Sequence, residues 1–410
     1  MYMKIYQALL IASLSVTSSY AQPASEDTTR RLLVVSGGGA RGAWGVGVVE
    51  QLIKDSGSYQ AVFGTSTGSL MAPLILLKDT AQLAEIYTHV TQSDIFSKNP
   101  FSVKVNPTTG AVTTSLNFWA VLRFIFGSKT FGKTENLRRL IRNTLTQARY
   151  DSLLQLYHQQ GMVVAVAVTN TRTGDLQLRY DSEFTTADHD KFCDWIWASA
   201  NEPLFMSYVP MGDTSYVDGG LREVVPIQNG LIYAIDHNIS NIDIVVNNAR
   251  VPINQNWNVD SGGIMNGLER VLDIYDYGTV HYNETYARLL AAYFNAVGAL
   301  PNQDARPMIR HLDSLNNMNA DTAVQIRDLR RYLSGQTQPP DTANRRQVHL
   351  NFYFMPQDIA QKYPNELGFL PGPMQTLYQA GLQYGSAPRN RVRLDFDKQT
   401  IQQNRNILTQ

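Results

Sequence analysis

Cysteine and net charge are what this chain of 410 residues has least of. Its single thiol, Cys193, cannot form an intramolecular disulfide, so stability must come from the apolar core. The 35 basic and 35 acidic residues cancel, which argues against a nucleic-acid partner, because proteins of that class usually carry a basic excess. The sequence also has no H-E-x-x-H motif and no Cys/His cluster, which disfavours a metalloenzyme. We therefore expect no metal and no cofactor, while composition leaves the oligomeric state open.

The apolar run at the start of the chain, "IYQALLIASLSV", is too short to span a membrane, which takes about 20 residues. It follows Lys4 and precedes the small residues Ser19 and Ala21, a pattern typical of a secretory signal peptide. We expect residues 1–21 to be a signal peptide cleaved after Ala21, residues 22–30 to be a flexible lead-in, and the mature protein to be periplasmic or secreted.

The next part of the chain alternates between strand and helix signals. Strands are predicted at Leu32–Ser36 and Tyr59–Phe63, and helices at Gly42–Lys54 and Gly68–Leu77. A strand, a helix and a second strand in this order form a βαβ unit, in which the strands are parallel and the crossover is right-handed.

Later segments continue the mixture of strands and helices. Further strands are predicted at Met162–Thr169, Asp175–Tyr180, Tyr216–Val217, Ile242–Asn247 and Val348–Phe354. Further helices are predicted at Asn136–Gln147, Ala187–Ala200, Gly263–Val297 (perhaps broken) and Ala320–Leu333. The fold class that follows is α/β with a mostly parallel sheet.

The segment Ser93–Phe131 interrupts the alternation with "TSLNFWAVLRFIFG". Two interpretations are open: a buried helix, or a lipid-facing flap that acts as a lid beside an active site. Ser334–Arg346, rich in proline and polar residues, reads as a surface loop. Because too few residues follow it for a typical second domain, we expect one domain over residues 31–390 and a C-terminal tail over residues 391–410.

The first strand ends in the segment Gly37–Gly42, called here the glycine loop. Gly37, Gly39 and Gly42 match G-x-G-x-x-G, the dinucleotide-binding fingerprint. However, no carboxylate follows the second strand to hold a ribose, and Arg41-Gly42 does not supply the Gly-Lys-Ser/Thr of a phosphate-binding Walker loop. A nucleotide is therefore disfavoured as the anion that this loop binds.

The second strand ends in "GTSTG", Gly64–Gly68, called here the serine elbow. It matches G-x-S-x-G, a sharp strand-to-helix turn that exposes the hydroxyl of Ser66. Since parallel strands end at one edge of the sheet, the glycine loop and Ser66 should meet there. Backbone amides of the loop would then face the oxyanion of a tetrahedral intermediate.

A serine hydroxyl needs a base to take its proton. The segment "SYVDGGL" places Asp218 after a short strand and before Gly219 and Gly220, an aspartate loop at Asp218–Gly220. Asp218 is a candidate base, although an Asp before two glycines is often only a turn residue.

Together, these motifs resemble those of the patatin-like phospholipases. The glycine loop matches the oxyanion motif of the family, Gly64–Gly68 matches its G-x-S-x-G elbow, and Asp218–Gly220 matches its D-G-[AG] motif. The segments "ASANEPLF" and "LGFLPGPMQTLYQAGLQYG" also resemble the family at the corresponding places.

The resemblance implies a three-layer α/β/α sandwich and a Ser66–Asp218 dyad without histidine. It also implies that the amides of Gly38 and Gly39 bind the oxyanion, in a loop shaped by Gly37 and Arg41. One departure is Val224, where family members often carry Asn two residues before the proline that follows the aspartate loop. The local support of Asp218 is therefore expected to differ from the family's.

The resulting hypothesis is a serine lipid acyl hydrolase, similar to phospholipase A or lysophospholipase, with an acyl ester of a lipid or phospholipid as substrate and possible peripheral contact with a membrane. One alternative is a Ser-Asp-His esterase, for which the histidines after Asp218 are His237, His281, His311 and His349. The other is a catalytically silent exported protein that binds lipid through the apolar stretch Leu116–Phe126. Head group, chain length, positional specificity and the balance between hydrolysis and acyl transfer are not encoded in the motifs.

Overall fold

The computed structural model describes residues 30–108, 112–250, 264–298, 348–363, 366–387 and 392–394. The predicted signal peptide, most of the lead-in, the predicted helix Ala320–Leu333, the loop Ser334–Arg346 and His311 lie outside the described residues.

The strands form one large sheet and a separate hairpin. They are β1 (Arg31–Val35), β2 (Ala61–Thr65), β3 (Phe101–Val105), β4 (Val112–Leu116), β5 (Val163–Asn170), β6 (Leu176–Tyr180), β7 (Val209–Met211), β8 (Thr214–Asp218), β9 (Asn241–Val246), β10 (His349–Phe354) and β11 (Val392–Leu394). Strands β3 and β4 pair only with each other. Strand β11 lies inside the predicted C-terminal tail, so these three tail residues extend the sheet instead.

The large sheet has the order β11-β10-β9-β1-β2-β5-β8-β7, with β6 also paired to β5. Its centre, from β10 through β9, β1 and β2 to β5, is parallel. The pairings of β11, β6, β8 and β7 are antiparallel. The mostly parallel sheet predicted from the sequence is therefore present, with antiparallel strands at its margins.

Helices flank the sheet. They are α1 (Gly42–Ser56), α2 (Thr67–Leu76), α3 (Thr80–His89), α4 (Gln92–Ile95), α5 (Phe118–Ile125), α6 (Glu135–Thr144), α7 (Gln147–Gln160), α8 (His189–Ser199), α9 (Ile227–Asp236), α10 (Ile264–Gly298), α11 (Gln357–Lys362) and α12 (Pro371–Gly385). None of the described helices is both long and apolar enough to cross a membrane.

Both faces of the sheet are covered. In β1, Leu33 and Val35 pack into a core shared with α1, α2, α8 and α12, whereas Leu32 and Val34 pack into a second core with α9 and α10. All four side chains are fully buried, which explains why the strand reads as a continuous apolar run rather than an alternating one. The molecule is thus a three-layer α/β/α sandwich, as the family resemblance implied.

Three stretches differ from the sequence-based expectations. The helix predicted at Asn136–Gln147 ends at Thr144, because Thr146 caps a new helix, α7, by accepting a hydrogen bond from the amide of Arg149. The helix predicted at Gly263–Val297 is unbroken. The helix in Ser93–Phe131 is not buried: of the residues of α5, only Ala120 is.

Candidate active site

The serine elbow joins β2 to α2 at the carboxyl edge of the sheet. Val35 at the end of β1 is paired with Gly64 near the end of β2, so the glycine loop and the elbow emerge side by side. Ser66 has φ 54° and ψ −120°, a strained backbone conformation for a residue with a side chain. A Cβ on Gly68 would lie 2.2 Å from the carbonyl oxygen of Val35. The elbow therefore has no room for a side chain at position 68.

Asp218 reaches the serine from the opposite direction. Strand β8 is antiparallel to β5 and brings Asp218 beside Val168, while Thr65 lies beside Ala167 on the other side of β5. Strands β2 and β8 therefore place Ser66 and Asp218 near each other, on either side of the same part of β5. A hydrogen bond from the Ser66 side chain is one of the interactions that act on the Asp218 carboxylate.

The aspartate loop holds this carboxylate in place. The Gly220 amide donates to Asp218 Oδ1 at 2.7 Å, and the Thr169 hydroxyl donates to the Asp218 carbonyl oxygen at 2.9 Å. Gly219 lies so close to β5 that a Cβ on it would stand 2.5 Å from the carbonyl oxygen of Ala167. A Cβ on Gly220 would stand 3.0 Å from Asp218 Oδ1. Gly219 is therefore required by its close contact with β5, and Gly220 leaves room for the carboxylate.

Burial sets the proton affinity of the site. It raises the pKa of Asp218 to about 7, against the lowering effect of the hydrogen bonds from Ser66 and Gly220, and Asp276 on α10 raises the pKa further. Burial also raises the pKa of Glu202 to about 8, with Asp276 and Asp218 adding to the rise. Near neutral pH, Asp218 therefore exchanges its proton readily, while Glu202 is largely neutral.

The glycine loop offers two amides. The amides of Gly37, Ala40 and Arg41 donate to the carbonyl oxygens of Val224, Glu366 and Gly38 respectively. Within the part of the chain that the structure describes, the amides of Gly38 and Gly39 have no such acceptor. These two residues have positive φ angles of 139° and 49°, which favour glycine.

The loop is fixed from three sides. Arg41 is buried and forms an ion pair with Glu366, whose carbonyl oxygen accepts the Ala40 amide at 2.7 Å. A Cβ on Gly42, at the start of α1, would lie 2.4 Å from the Thr67 hydroxyl oxygen beside the elbow. Gly37 itself is adjacent to Ser66, since a Cβ on it would be 3.4 Å from that of the serine.

Val224 links the glycine loop to the aspartate loop through its backbone. Its carbonyl oxygen accepts the Gly37 amide at 2.9 Å, and its side chain is buried. The valine at this position therefore leaves the backbone connection intact.

Several supporting residues were not predicted. The Ser199 hydroxyl accepts the Ser66 amide at 3.0 Å and donates to the Ala167 carbonyl oxygen at 2.6 Å. The amide of Asn247 donates to the Ser36 hydroxyl at 2.8 Å, and its side chain donates to the Ser36 carbonyl oxygen at 3.0 Å. A signal for Asn247 existed, because polar residues directly after a buried parallel strand mark the carboxyl edge.

None of the described histidines is in contact with the dyad. His349 opens β10 and pairs with Asn241, at the amino edge of the sheet. His237 follows α9 and its carbonyl oxygen accepts a hydrogen bond from Arg30, at that same amino edge. His281 is exposed on α10 and stacks on Tyr277.

An apolar cavity borders the helix that follows the elbow. Its empty volume is about 640 Å³, part of it open to solvent, and its lining includes Leu70, Leu74, Tyr87 and Phe369. Leu70 is one helical turn after Ser66, and its amide donates to the Ser66 carbonyl oxygen. Among the described residues, no group of three or more His, Cys, Asp or Glu side chains could hold a metal ion.

A family model covers the three loops of this site. Residues 33–231 match the family model of the patatin-like phospholipases, a span that includes the glycine loop, the serine elbow and the aspartate loop. Among solved structures, the chain is similar to VipD from Legionella pneumophila, with 11% sequence identity, a TM-score of 0.36, and coverage of 94% of this chain and 74% of that one. No curated protein sequence matches the chain significantly.

Proposed function

We propose, from the premise that residues 33–231 form a patatin-like phospholipase domain, that this chain is a serine lipid acyl hydrolase similar to phospholipase A or lysophospholipase. The observation that carries the proposal is the contact between Ser66 on its strained elbow and the buried carboxylate of Asp218. A lipid substrate is consistent with the apolar cavity against α2.

The reaction begins when Asp218 takes the proton of the Ser66 hydroxyl and the serine oxygen attacks the acyl carbonyl carbon. The carbonyl oxygen becomes an oxyanion, which accepts hydrogen bonds from the Gly38 and Gly39 amides. The bond to the leaving alcohol or lysolipid breaks, and Asp218 returns the proton to that leaving oxygen. Water, losing a proton to Asp218, then attacks the acyl-enzyme. The bond between the acyl carbon and the Ser66 oxygen breaks, Asp218 returns the proton to that oxygen, and the fatty acid leaves.

Burial of Asp218 suits this role. A base works best when its pKa is close to the working pH, and burial raises that of Asp218 to about 7. The positive end of α1, which follows the glycine loop, adds to the stabilisation of the oxyanion. A Ser-Asp-His triad is less well supported, because His237 and His349 lie at the amino edge of the sheet.

Labelling with a fluorophosphonate tests the proposal without a choice of substrate. Ser66→Ala and Asp218→Asn should each reduce the labelling rate by at least about a hundredfold, and wild-type protein should hydrolyse phospholipid or lysophospholipid. The control is Ser152→Ala, which removes an exposed hydroxyl on α7. Folded wild-type protein that takes no label would instead favour the silent lipid-binding alternative, and full labelling of Asp218→Asn would rule out the dyad.

The proposal extends to where the protein acts. We propose that the catalytic domain begins at residue 31 and includes β11. We also propose that the chain is exported after cleavage behind Ala21, as the N-terminal pattern of Lys4, an apolar run and small residues indicates. Mass spectrometry of the mature protein should find an N-terminus at Gln22.

A further inference from the structure

Helix α5 turns a broad apolar face to solvent. Phe118, Trp119, Ile125 and Phe126, at the helix and its end, are between 66% and 80% exposed. Their spacing places them on one side of the helix, because positions seven apart nearly coincide in direction. Such a run of exposed aromatic and aliphatic side chains is larger than the scattered apolar residues of an ordinary surface.

The opposite side of α5 is attached to the body of the protein. Phe124 stacks on Phe131 with ring centres 4.3 Å apart, and Phe131 stacks on the buried Phe205 at 6.0 Å. Arg123 also donates to the carbonyl oxygen of Phe131. These contacts fix the orientation of α5, so that its apolar face points to solvent.

The stretch of sequence that contains α5 carries charge of one sign. Residues 97–134, called here the basic apolar segment, contain no Asp or Glu, although the whole chain is neutral. The cations of the segment are Lys98, Lys104, Arg123, Lys129 and Lys133. None of them is in an ion pair among the residues that the structure describes. Aromatic residues beside unpaired cations are the combination that an anionic lipid surface attracts.

The basic apolar segment is hydrogen-bonded to the stretch that follows α8, and that stretch is in turn hydrogen-bonded to Asp218. Thr134 donates to the side-chain oxygen of Asn201 at 2.5 Å, and the carbonyl oxygen of Asn201 accepts the Asp218 amide at 2.9 Å. The Phe131 amide donates to the Leu204 carbonyl oxygen at 2.8 Å. Leu204 and Leu221, on either side of Asp218 in the sequence, are also exposed. The apolar face thus belongs to the same region of the molecule as the dyad.

We propose that the basic apolar segment docks the protein on an anionic phospholipid bilayer, with the outer face of α5 in the headgroup region and the cations against lipid phosphates. This inference rests on the proposed function, because docking would bring Ser66 and Asp218 close to lipid acyl esters in the bilayer. The aromatic rings supply apolar contact at the depth where such rings favour membranes. The cations add attraction that weakens with salt.

Vesicle binding tests the docking separately from catalysis. Full-length protein carrying Ser66→Ala, which leaves the lipid intact, is sedimented with vesicles of phosphatidylcholine alone or with about a third phosphatidylglycerol. We expect binding to the anionic vesicles, weakened by high salt. Adding Trp119→Glu and Phe126→Glu should weaken it at least about tenfold. Labelling is measured in protein that keeps Ser66. There, Trp119→Glu and Phe126→Glu should leave the rate of fluorophosphonate labelling unchanged.

A second pair of substitutions controls for charge. Val271→Glu and Ile274→Glu, which alter exposed apolar residues on α10, add the same two negative charges and should weaken binding much less. Equal losses in both pairs, equal binding to neutral vesicles, or no loss with the α5 pair would each overturn the proposal. So would self-association in ultracentrifugation that only the α5 substitutions abolish, because the face would then be covered by a second copy. Failure of labelling with intact vesicle binding would instead reject the proposed function alone.

Discussion

At the residue scale, the burial that would suit Asp218 to its proposed role as a base also makes its charged form costly for the stability of the fold. Its carboxylate is buried, and the folded protein therefore binds its proton more tightly than the unfolded chain does. An Asp whose pKa is about 7 in the folded state and near 4 when unfolded stabilises the protein below pH 4. That contribution is lost as pH rises through about 7.

The substitution Asp218→Asn isolates this effect. We expect the variant to lose labelling but to gain stability relative to wild type as pH rises from 4 to 8, by at most about 4 kcal/mol. Urea denaturation of both proteins across this range measures the difference. Comparing the two proteins cancels the contribution of Asp181, whose pKa burial also raises. The contribution of Glu202 does not cancel, because the Asp218 charge is one of the causes that raise the Glu202 pKa, so the comparison is repeated in a Glu202→Gln background. A constant difference between pH 4 and 8 would contradict the assignment.

Residues were predictable from the sequence where local backbone geometry dictates them. Ser66 was identifiable as a candidate because a strand-to-helix elbow needs Gly64 and Gly68. Gly38 and Gly39 were identifiable because the chain adopts positive φ at these two positions. Ser199 and Glu366 were not, since each acts through a contact between segments that only the fold brings together.

At the scale of elements, the crossing of α1 and α12 governs the glycine loop. A Cβ on Gly381 would stand 2.0 Å from the Trp44 carbonyl oxygen, and one on Gly47 would stand 2.3 Å from the Tyr378 carbonyl oxygen. The backbones of the two helices are therefore in direct contact. Helix α12 follows Glu366, which is bonded to the glycine loop. We therefore expect a displacement of α12 to move Glu366 and the glycine loop with it.

We expect Gly381→Val to lower the free energy of unfolding by roughly 2–3 kcal/mol, because the side chain forces the helices apart. Labelling of Ser66 should slow as well. The control is Gly372→Ala on the same helix, where a Cβ meets nothing within 4 Å. Denaturant titration and labelling rates of both variants provide the measurement, and a Gly381→Val protein with wild-type stability would refute the close crossing.

The strands with a clear apolar pattern could be located from the sequence. Features that depend on contact with a distant segment could not. The strands of the central sheet lie within two residues of their predicted ends, because continuous apolar runs suit strands buried on both faces. The buried-helix interpretation of Ser93–Phe131 was wrong, since apolar composition alone does not say which face a helix covers. The crossing at Gly381 required knowledge of a partner helix more than 300 residues away in the sequence.

At the scale of the whole molecule, the two edges of the sheet have separate tasks. The carboxyl edge carries the candidate site, while a buried polar cluster ties strands together near the amino edge. Asp243 accepts hydrogen bonds from Tyr59 and Asn351, each at 3.0 Å, and is paired with Arg31 at the start of β1. Asp243 is completely buried.

Loss of that carboxylate should weaken the fold and spare the chemistry. We expect Asp243→Ala to lower the free energy of unfolding by about 3–5 kcal/mol, because the partly buried Arg31 guanidinium loses its counter-ion and the buried Tyr59 hydroxyl loses its acceptor. Asp213→Ala, which breaks an exposed pair with Arg172, should change the free energy of unfolding far less, because solvent screens exposed ion pairs. Thermal or urea unfolding gives both values. The folded fraction of Asp243→Ala should still react with fluorophosphonate at the wild-type rate. Slower labelling would show that a change at the amino edge of the sheet alters the candidate site at the carboxyl edge.

The anchoring of the glycine loop by Glu366 has a consequence in time. A polypeptide is made from its amino end, so Ser66 and Asp218 are both present long before Glu366 is. Until that residue arrives, Ala40 lacks its acceptor and Arg41 its counter-ion. A nascent or shortened chain therefore holds the candidate nucleophile and base without a fixed glycine loop. If the proposed activity is correct, the order of synthesis delays it until Glu366 has been added to the chain.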